Sequence, residues 1–197
     1  MRIGTLAVQG DFAAHTRMLR RLGVEAIEVR RADEMESIDG LIVPGGESTT
    51  MLKFLVEENL APAIREFARL GRPIFGTCAG AILLAREATG PAQASLDLID
   101  ITIERNAFGR QVDSFIGYVE TTLEGGPLEA VFIRAPRIRR VGPNVEVLAT
   151  LDGEPVMVRE RNILAATFHP EMTADARAHN LFLNMASREF VAVQTER

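Results

Sequence analysis

The chain opens with short apolar runs separated by amphipathic stretches. Residues 2–10, "RIGTLAVQG", form an apolar run that ends at a glycine, the mark of a buried strand. Residues 11–23 place Phe12, His15, Leu19 and Leu22 at helical spacing, with Asp11 as a candidate N-cap and Gly23 as a stop. Residues 24–30 alternate like a strand, and 40–46 form a second buried run that breaks at Pro44. Residues 50–71 read as helix with an interruption near Pro62, 72–78 as strand and 79–88 as helix. Strands alternating with helices imply right-handed crossovers and a mostly parallel sheet with helices on both faces.

The second half has a different rhythm. Apolar segments at 96–106, 113–122, 130–136, 144–150, 154–160 and 162–168 follow one another with few helical signals between them. They are expected as added antiparallel strands, in hairpins or at edges of the α/β core. An amphipathic helix over 174–190 closes the pattern. Linker-like tracts and repeats are absent, so residues 1–197 are expected to form a single domain.

Composition narrows the choice of partners. A net charge of −5 argues against a general nucleic-acid binder. One cysteine cannot make an internal disulfide, no secretory pattern opens the chain, and no apolar run is long enough to span a bilayer. The expectation is a cytoplasmic protein with neither membrane nor nucleic acid as partner.

That single cysteine, Cys78, lies in "GTCAG", where an expected parallel strand meets an expected helix. Ligand sites of open α/β sheets lie at that edge. The pattern G-x-C-x-G has the form of a nucleophile elbow, whose glycines permit a tight turn around an exposed side chain. The bland alternative is a small buried core residue. A nucleophilic thiol needs a base. His15 and His179 fall inside expected helices, where a polar surface or a packing role is the simpler reading. His169 ends an apolar run and is followed two positions later by Glu171. If the strand continues to that point, both side chains share one side, and Glu171 can orient the imidazole. A third apolar run ends in "PGGEST", residues 44–49. Its backbone N–H groups, with that of Ala79, are candidate oxyanion donors. The segment lacks the ending of a phosphate-binding P-loop, and a plain strand-to-helix corner stays open.

Together these residues resemble the class I, triad-type glutamine amidotransferases. "LAVQGDFAAH", "VPGGESTTM", "GTCAGAILLA", "RNAFGRQVDSF", "VFIRAP" and "FHPEMTADARAHNLFL" are similar to the branch that supplies the glutaminase subunit of pyridoxal 5′-phosphate synthase. Ala81 stands where that branch usually carries a bulkier residue. The resemblance implies Cys78 as nucleophile, His169 as base and acid, and Glu171 as its support. It implies a glutamine site made by Gly46, Glu47, Ser48, Arg105, Ile133 and Arg134, with the Gly46 and Ala79 amides as the oxyanion hole. A guanidinium suits the α-carboxylate of glutamine, although an arginine in so arginine-rich a chain is most simply a solvated charge. Ile133 would act through backbone or packing. No cofactor and no metal are implied. The implied partner is a synthase subunit that receives the ammonia, because the only lysine, Lys53, falls in an expected helix and is most simply a surface residue. Docking is expected to complete the oxyanion hole near Gly46, with Gln9 and Gly10 at the contact. Two rivals share parts of the pattern: a cysteine peptidase or stress protein of the elbow-cysteine α/β type, and a non-catalytic regulatory module.

Overall fold

The computed structural model describes residues 1–107 and 114–195. Among them, the main sheet has nine strands. Five lie side by side and parallel, in the order β2 (Glu25–Val29), β1 (Arg2–Leu6), β3 (Gly40–Val43), β4 (Ile74–Thr77) and β12 (Ile163–Ala166). Antiparallel strands extend it through β11 (Glu154–Glu160), β10 (Glu146–Leu151), β7 (Phe115–Thr121) and β8 (Leu128–Phe132). A separate three-stranded sheet joins β5 (Ala85–Thr89), β6 (Ile99–Glu104) and β9 (Arg137–Val141). The expected parallel core with added antiparallel strands is therefore present.

Both faces of the central strands are apolar because both are covered. Leu41 and Val43 of β3, Ile74 of β4, and Ile163 and Ala165 of β12 face one core. Helices α2 (Ser48–Glu57), α3 (Leu60–Arg69) and α4 (Ala79–Leu84) complete it, together with the small sheet. Ile42, Phe75, Leu164 and Ala166 face the other core, beside α1 (Phe12–Arg21) and α5 (Arg177–Thr195). Phe75 and Phe182 pack there with ring centroids 5.8 Å apart. Each such side chain contributes roughly 1.5–3 kcal/mol by leaving water.

Four expectations need correction. The helix read over 50–71 is two helices, and the break is at Asn59, with φ of 52°, not at Pro62. Pro62 stands in the first turn of α3, where its missing N–H leaves no hydrogen bond unmade. The helix read over 79–88 stops at Leu84, and the chain turns into β5, which pairs with β6. Pairing there overrides the segment's local helical propensity, a weak guide beside tertiary context. The run 162–168 does form a hairpin, β12 with β11, but it is no edge: β12 sits inside the main sheet and also pairs in parallel with β4. Strand β9 was not foreseen, because its sequence "RIRRV" hides the alternation behind arginines. Those arginines reach carboxylates on β6, Arg139 to Glu104 and Arg140 to Asp100.

Helix α4 approaches β3 so closely that a Cβ on Gly80 would collide with the Val43 carbonyl oxygen and stand 2.8 Å from its carbon. Alanine gains about 1 kcal/mol of helix propensity over glycine. Rigid backbone cannot yield to the clash, so Gly80→Ala is expected to destabilise the chain by about 1–3 kcal/mol in urea unfolding. Gly117→Ala is the control. Its Cβ would meet only Phe115 side-chain atoms, at 3.4 Å and beyond, and stability should change by no more than about 0.5 kcal/mol.

Candidate active site

Strand β4 is flanked by β3 and β12, and all three run parallel. Their C-terminal ends therefore lie side by side, and each carries one of the motifs singled out above. Cys78 follows β4 with φ of 47° and ψ of −106°, a region that side-chain-bearing residues rarely occupy. Its N–H donates to the Ala166 carbonyl on β12 at 2.8 Å. A Cβ on Gly76 would stand 2.8 Å from the Gly80 carbonyl carbon, so the two glycines of the elbow touch backbone to backbone. The thiol of Cys78 is 3.9 Å from the Ile133 carbonyl oxygen. Ala79 is the first residue of α4, and an N–H in that position has no partner within its own helix.

His169 and Glu171 meet, but not by strand alternation. Strand β12 ends at Ala166, and Pro170–Met172 form a 3-10 turn. That turn brings Glu171 Oε1 to 2.7 Å from His169 Nδ1. The backbone N–H of His169 donates to the Val131 carbonyl at 2.8 Å, which ties the turn to β8. Burial works against a charged imidazole, but the neighbouring Cys78 and the hydrogen-bonded Glu171 outweigh it and raise the His169 pKa to about 10. Gly45 lies against the ring: a Cβ there would run into Cε1 and stand 3.1 Å from Nδ1.

The remaining expected residues divide between two places. Ile133 and Arg134 follow β8, Ile133 through its carbonyl beside the thiol and Arg134 exposed, with φ of 44°. Gly46, Glu47, Ser48 and Arg105 gather at the start of α2. The Glu47 carboxylate caps that helix, accepting from the Thr49 and Thr50 amides at 3.0 and 2.7 Å. Burial alone would raise its pKa, but these bonds and the Thr50 hydroxyl prevail and lower it to about 2. Its side chain is thus committed to the helix. Its backbone N–H donates to Gln9 Oε1 at 2.9 Å. Arg105 donates to the Thr49 hydroxyl at 3.0 Å and stands 3.9 Å from Glu47. Ser48 is buried and donates to Gln93 Oε1 at 3.0 Å. Gln93 was not singled out, since nothing in its sequence context marks it. Residues 108–113, which include most of "RNAFGRQ" and the first position of the strand expected over 113–122, lie outside the described residues.

The other two histidines are not on the surface. His15 and His179 are fully buried, with His15 Nδ1 3.0 Å from His179 Nε2. His15 Nε2 lies 3.1 Å from the Thr77 hydroxyl and 3.2 Å from Glu171 Oε2. Helical spacing aligns His15 with Phe12, Leu19 and Leu22 but leaves a polar surface or a packing role open, and does not show what it meets. Burial, then the neighbouring His179 and His169, hold the His15 pKa well below its ordinary value. Burial and the Arg21 charge lower that of His179 to about 4. Asp11, His169 and Glu171 form the one group of possible metal ligands among the described residues. Two of its three members, His169 and Glu171, already face each other at hydrogen-bond distance.

Solved structures share this fold. One described as a glutamine amidotransferase superposes with a TM-score of 0.89 at 49% identity, covering 94% of this chain and 98% of that one. The Thermotoga maritima PurLQS structure superposes at 0.76 with 16% identity over 93% of this chain and 97% of that one, a likeness of fold alone. The fold is that of a glutamine amidotransferase. The model of the SNO glutamine amidotransferase family matches residues 5–188, and the chain belongs to that family. Relatives named pyridoxal 5′-phosphate synthase subunit PdxT include one from Koribacter versatilis, 52% identical over 94% of this chain and 95% of its own length. Another, from Dehalococcoides mccartyi, is 54% identical over 94% of this chain and 97% of its own.

The depressed histidine pKa values set an acid limit to stability. Below the unfolded value of 6.5 the unfolded chain takes up protons that folded His15 and His179 refuse. Stability present above that pH is lost as pH falls, and His179 alone accounts for about 2 kcal/mol by about pH 5. His169, shifted upward, works slightly against this loss: its contribution is full below about pH 6.5 and fades from there as pH rises to about 10. Urea unfolding between about pH 7 and pH 5 should show the fall, and His179→Phe should flatten it. A curve of wild-type steepness in that folded variant would contradict the assignment.

Proposed function

We propose that this chain hydrolyses L-glutamine to L-glutamate and ammonia, as the glutaminase subunit of pyridoxal 5′-phosphate synthase, and passes the ammonia to a separate synthase subunit. The observation that carries the reading is the strained Cys78 elbow facing a His169–Glu171 pair, in a chain of the SNO family. We read residues 1–197 as one glutaminase domain working in the cytoplasm. Membrane and nucleic acid have no part in this reading. No helix among the described residues is long and apolar enough to cross a membrane.

The chemistry follows from the geometry. The Cys78 sulfur attacks the side-chain carbonyl carbon of glutamine while His169 holds the thiol's proton. The carbonyl oxygen becomes an oxyanion, which the Gly46 and Ala79 amides stabilise. His169 gives its proton to the departing nitrogen, the C–N bond breaks, and ammonia leaves. Water then attacks the thioester as His169 removes its proton; glutamate departs and the thiol is restored. Glu171 keeps the imidazole oriented and stabilises its positive charge. Gly46, Glu47 and Ser48 line the glutamine site, and Arg105, Ile133 and Arg134 complete it. The glutaminase reading is favoured over a peptidase by family membership.

The ammonia acceptor is handled elsewhere. Lys53 is exposed and faces Glu57 at 3.7 Å, the setting of a surface charge. A separate synthase subunit supplies the acceptor chemistry and receives ammonia along a protected path. The Gln9 side chain holds the Glu47 amide beside Gly46, and Gly10 abuts the Gly45 carbonyl. A partner that presses on residues 9 and 10 therefore reaches the proposed oxyanion hole through one hydrogen bond.

Two measurements test this. Cys78→Ala and His169→Asn should each lower glutamine hydrolysis by at least about 10⁴-fold, and Glu171→Gln by less, with the double loss at 169 and 171 far from additive. Substantial turnover in folded Cys78→Ala would refute the nucleophile. Steady-state glutaminase rates should rise on addition of the synthase subunit; full activity without it, unchanged by its presence, would rule out control by docking.

A further inference from the structure

The proposed mechanism uses one histidine of three. His15 and His179 are fully buried on facing helices, α1 and α5, where apolar side chains would pack at lower cost than two imidazoles. Their position points to a reason. Glu171 is buried with its Oε1 on His169, and Oε2 has no well-aligned donor among the described residues. The nitrogen facing Oε2 is His15 Nε2, at 3.2 Å on a bent approach.

The partners fix where the protons sit. A carboxylate oxygen 3.2 Å away calls for a proton on His15 Nε2. A neutral His15 must then accept at Nδ1, so the facing His179 Nε2, at 3.0 Å, carries a proton. His179 Nδ1 is left bare, and no protein donor meets it among the described residues. The groups around this pair are few. His15 faces His179, Thr77, Glu171 and the charge of His169. His179 faces His15, the edge of Phe75 and the charge of Arg21.

We propose that His15, with its tautomer set by His179, is a positioning residue of this site: its Nε2–H restrains the second oxygen of Glu171 so that the first stays aimed at His169 Nδ1. The terminal torsion of a glutamate side chain is soft, and a carboxylate held at one oxygen can swing. Held at both, it keeps the imidazole in the tautomer that presents Nε2 to the thiol. The same His15 nitrogen touches the hydroxyl of Thr77, the residue before Cys78. One imidazole therefore ties the elbow strand and the carboxylate turn to α1.

This inference rests on the glutaminase reading, so its test includes a readout that needs no turnover. In the full chain with the synthase subunit present, His15→Leu is expected to lower kcat for glutamine about 10–100-fold with KM nearly unchanged. His15→Gln, which restores an N–H donor, should recover most of that loss. Folded His15→Leu with wild-type kcat, or a Gln variant as slow as the Leu variant, would overturn the proposal. Nitrogen-15 NMR of the labelled histidines in the isolated chain gives the second readout. His15 and His179 should both be neutral and protonated at Nε2. His15 protonated at Nδ1 instead would overturn the proposal even if the Leu variant fails to fold. Should the wild-type complex not hydrolyse glutamine at all, the glutaminase reading falls, while the NMR result still decides whether His15 donates to Glu171.

Discussion

The close approach of Gly80 to the Val43 carbonyl is the constraint on which the rest of the site depends. It draws the first turn of α4 down onto the end of β3. With β4 already locked between β3 and β12 by parallel pairing, the chain must turn from strand to helix within one residue. Cys78 absorbs that turn as a left-handed φ of 47°. Backbone strain of this kind costs roughly 1–3 kcal/mol and persists only where the surroundings over-determine it. Here they do: the Cys78 N–H is bonded across to Ala166, and both neighbouring glycines are pinned by backbone contact.

The arrangement also explains why three distant motifs converge. Residues 44–49, 78 and 169–171 share no local sequence, but β3, β4 and β12 are consecutive in the sheet and point the same way. Strand β12 reaches that position only because both its faces are apolar, with Ile163 and Ala165 on one side and Leu164 and Ala166 on the other. Beneath the site lies a buried chain of polar groups, from His179 through His15 and Glu171 to His169. Networks of this kind are costly when partly satisfied and specify one arrangement when complete. This one spans α5, α1 and the turn after β12.

Much of this was legible from the sequence, for identifiable reasons. The parallel core was readable because its strands are short apolar runs that end at glycine or proline. The elbow was readable because glycines flank the cysteine. What was hidden depended on pairing between distant segments. Nothing in "NILAATF" says that it lies beside β4, so it read as an added strand. Ala85–Thr89 has a helical composition and became a strand because β6 lies alongside. Strand β9 was masked by arginines whose charges are met by Glu104 and Asp100. His169 and Glu171 were paired for the wrong local reason: a 3-10 turn joins them, where strand alternation was expected. Helical spacing left His15 between a polar surface and a packing role, because its contact with Glu171 crosses 156 residues of chain.

The central claim is that a strained cysteine at the end of β4 carries the glutamyl group during turnover. Acid quenching of the complex during steady-state glutamine hydrolysis, followed by peptide mass mapping, tests it directly. The account predicts a glutamyl adduct on the peptide containing Cys78 and nowhere else, absent when glutamate replaces glutamine. Sustained turnover with no adduct on that peptide, or with the adduct on another residue, would contradict it.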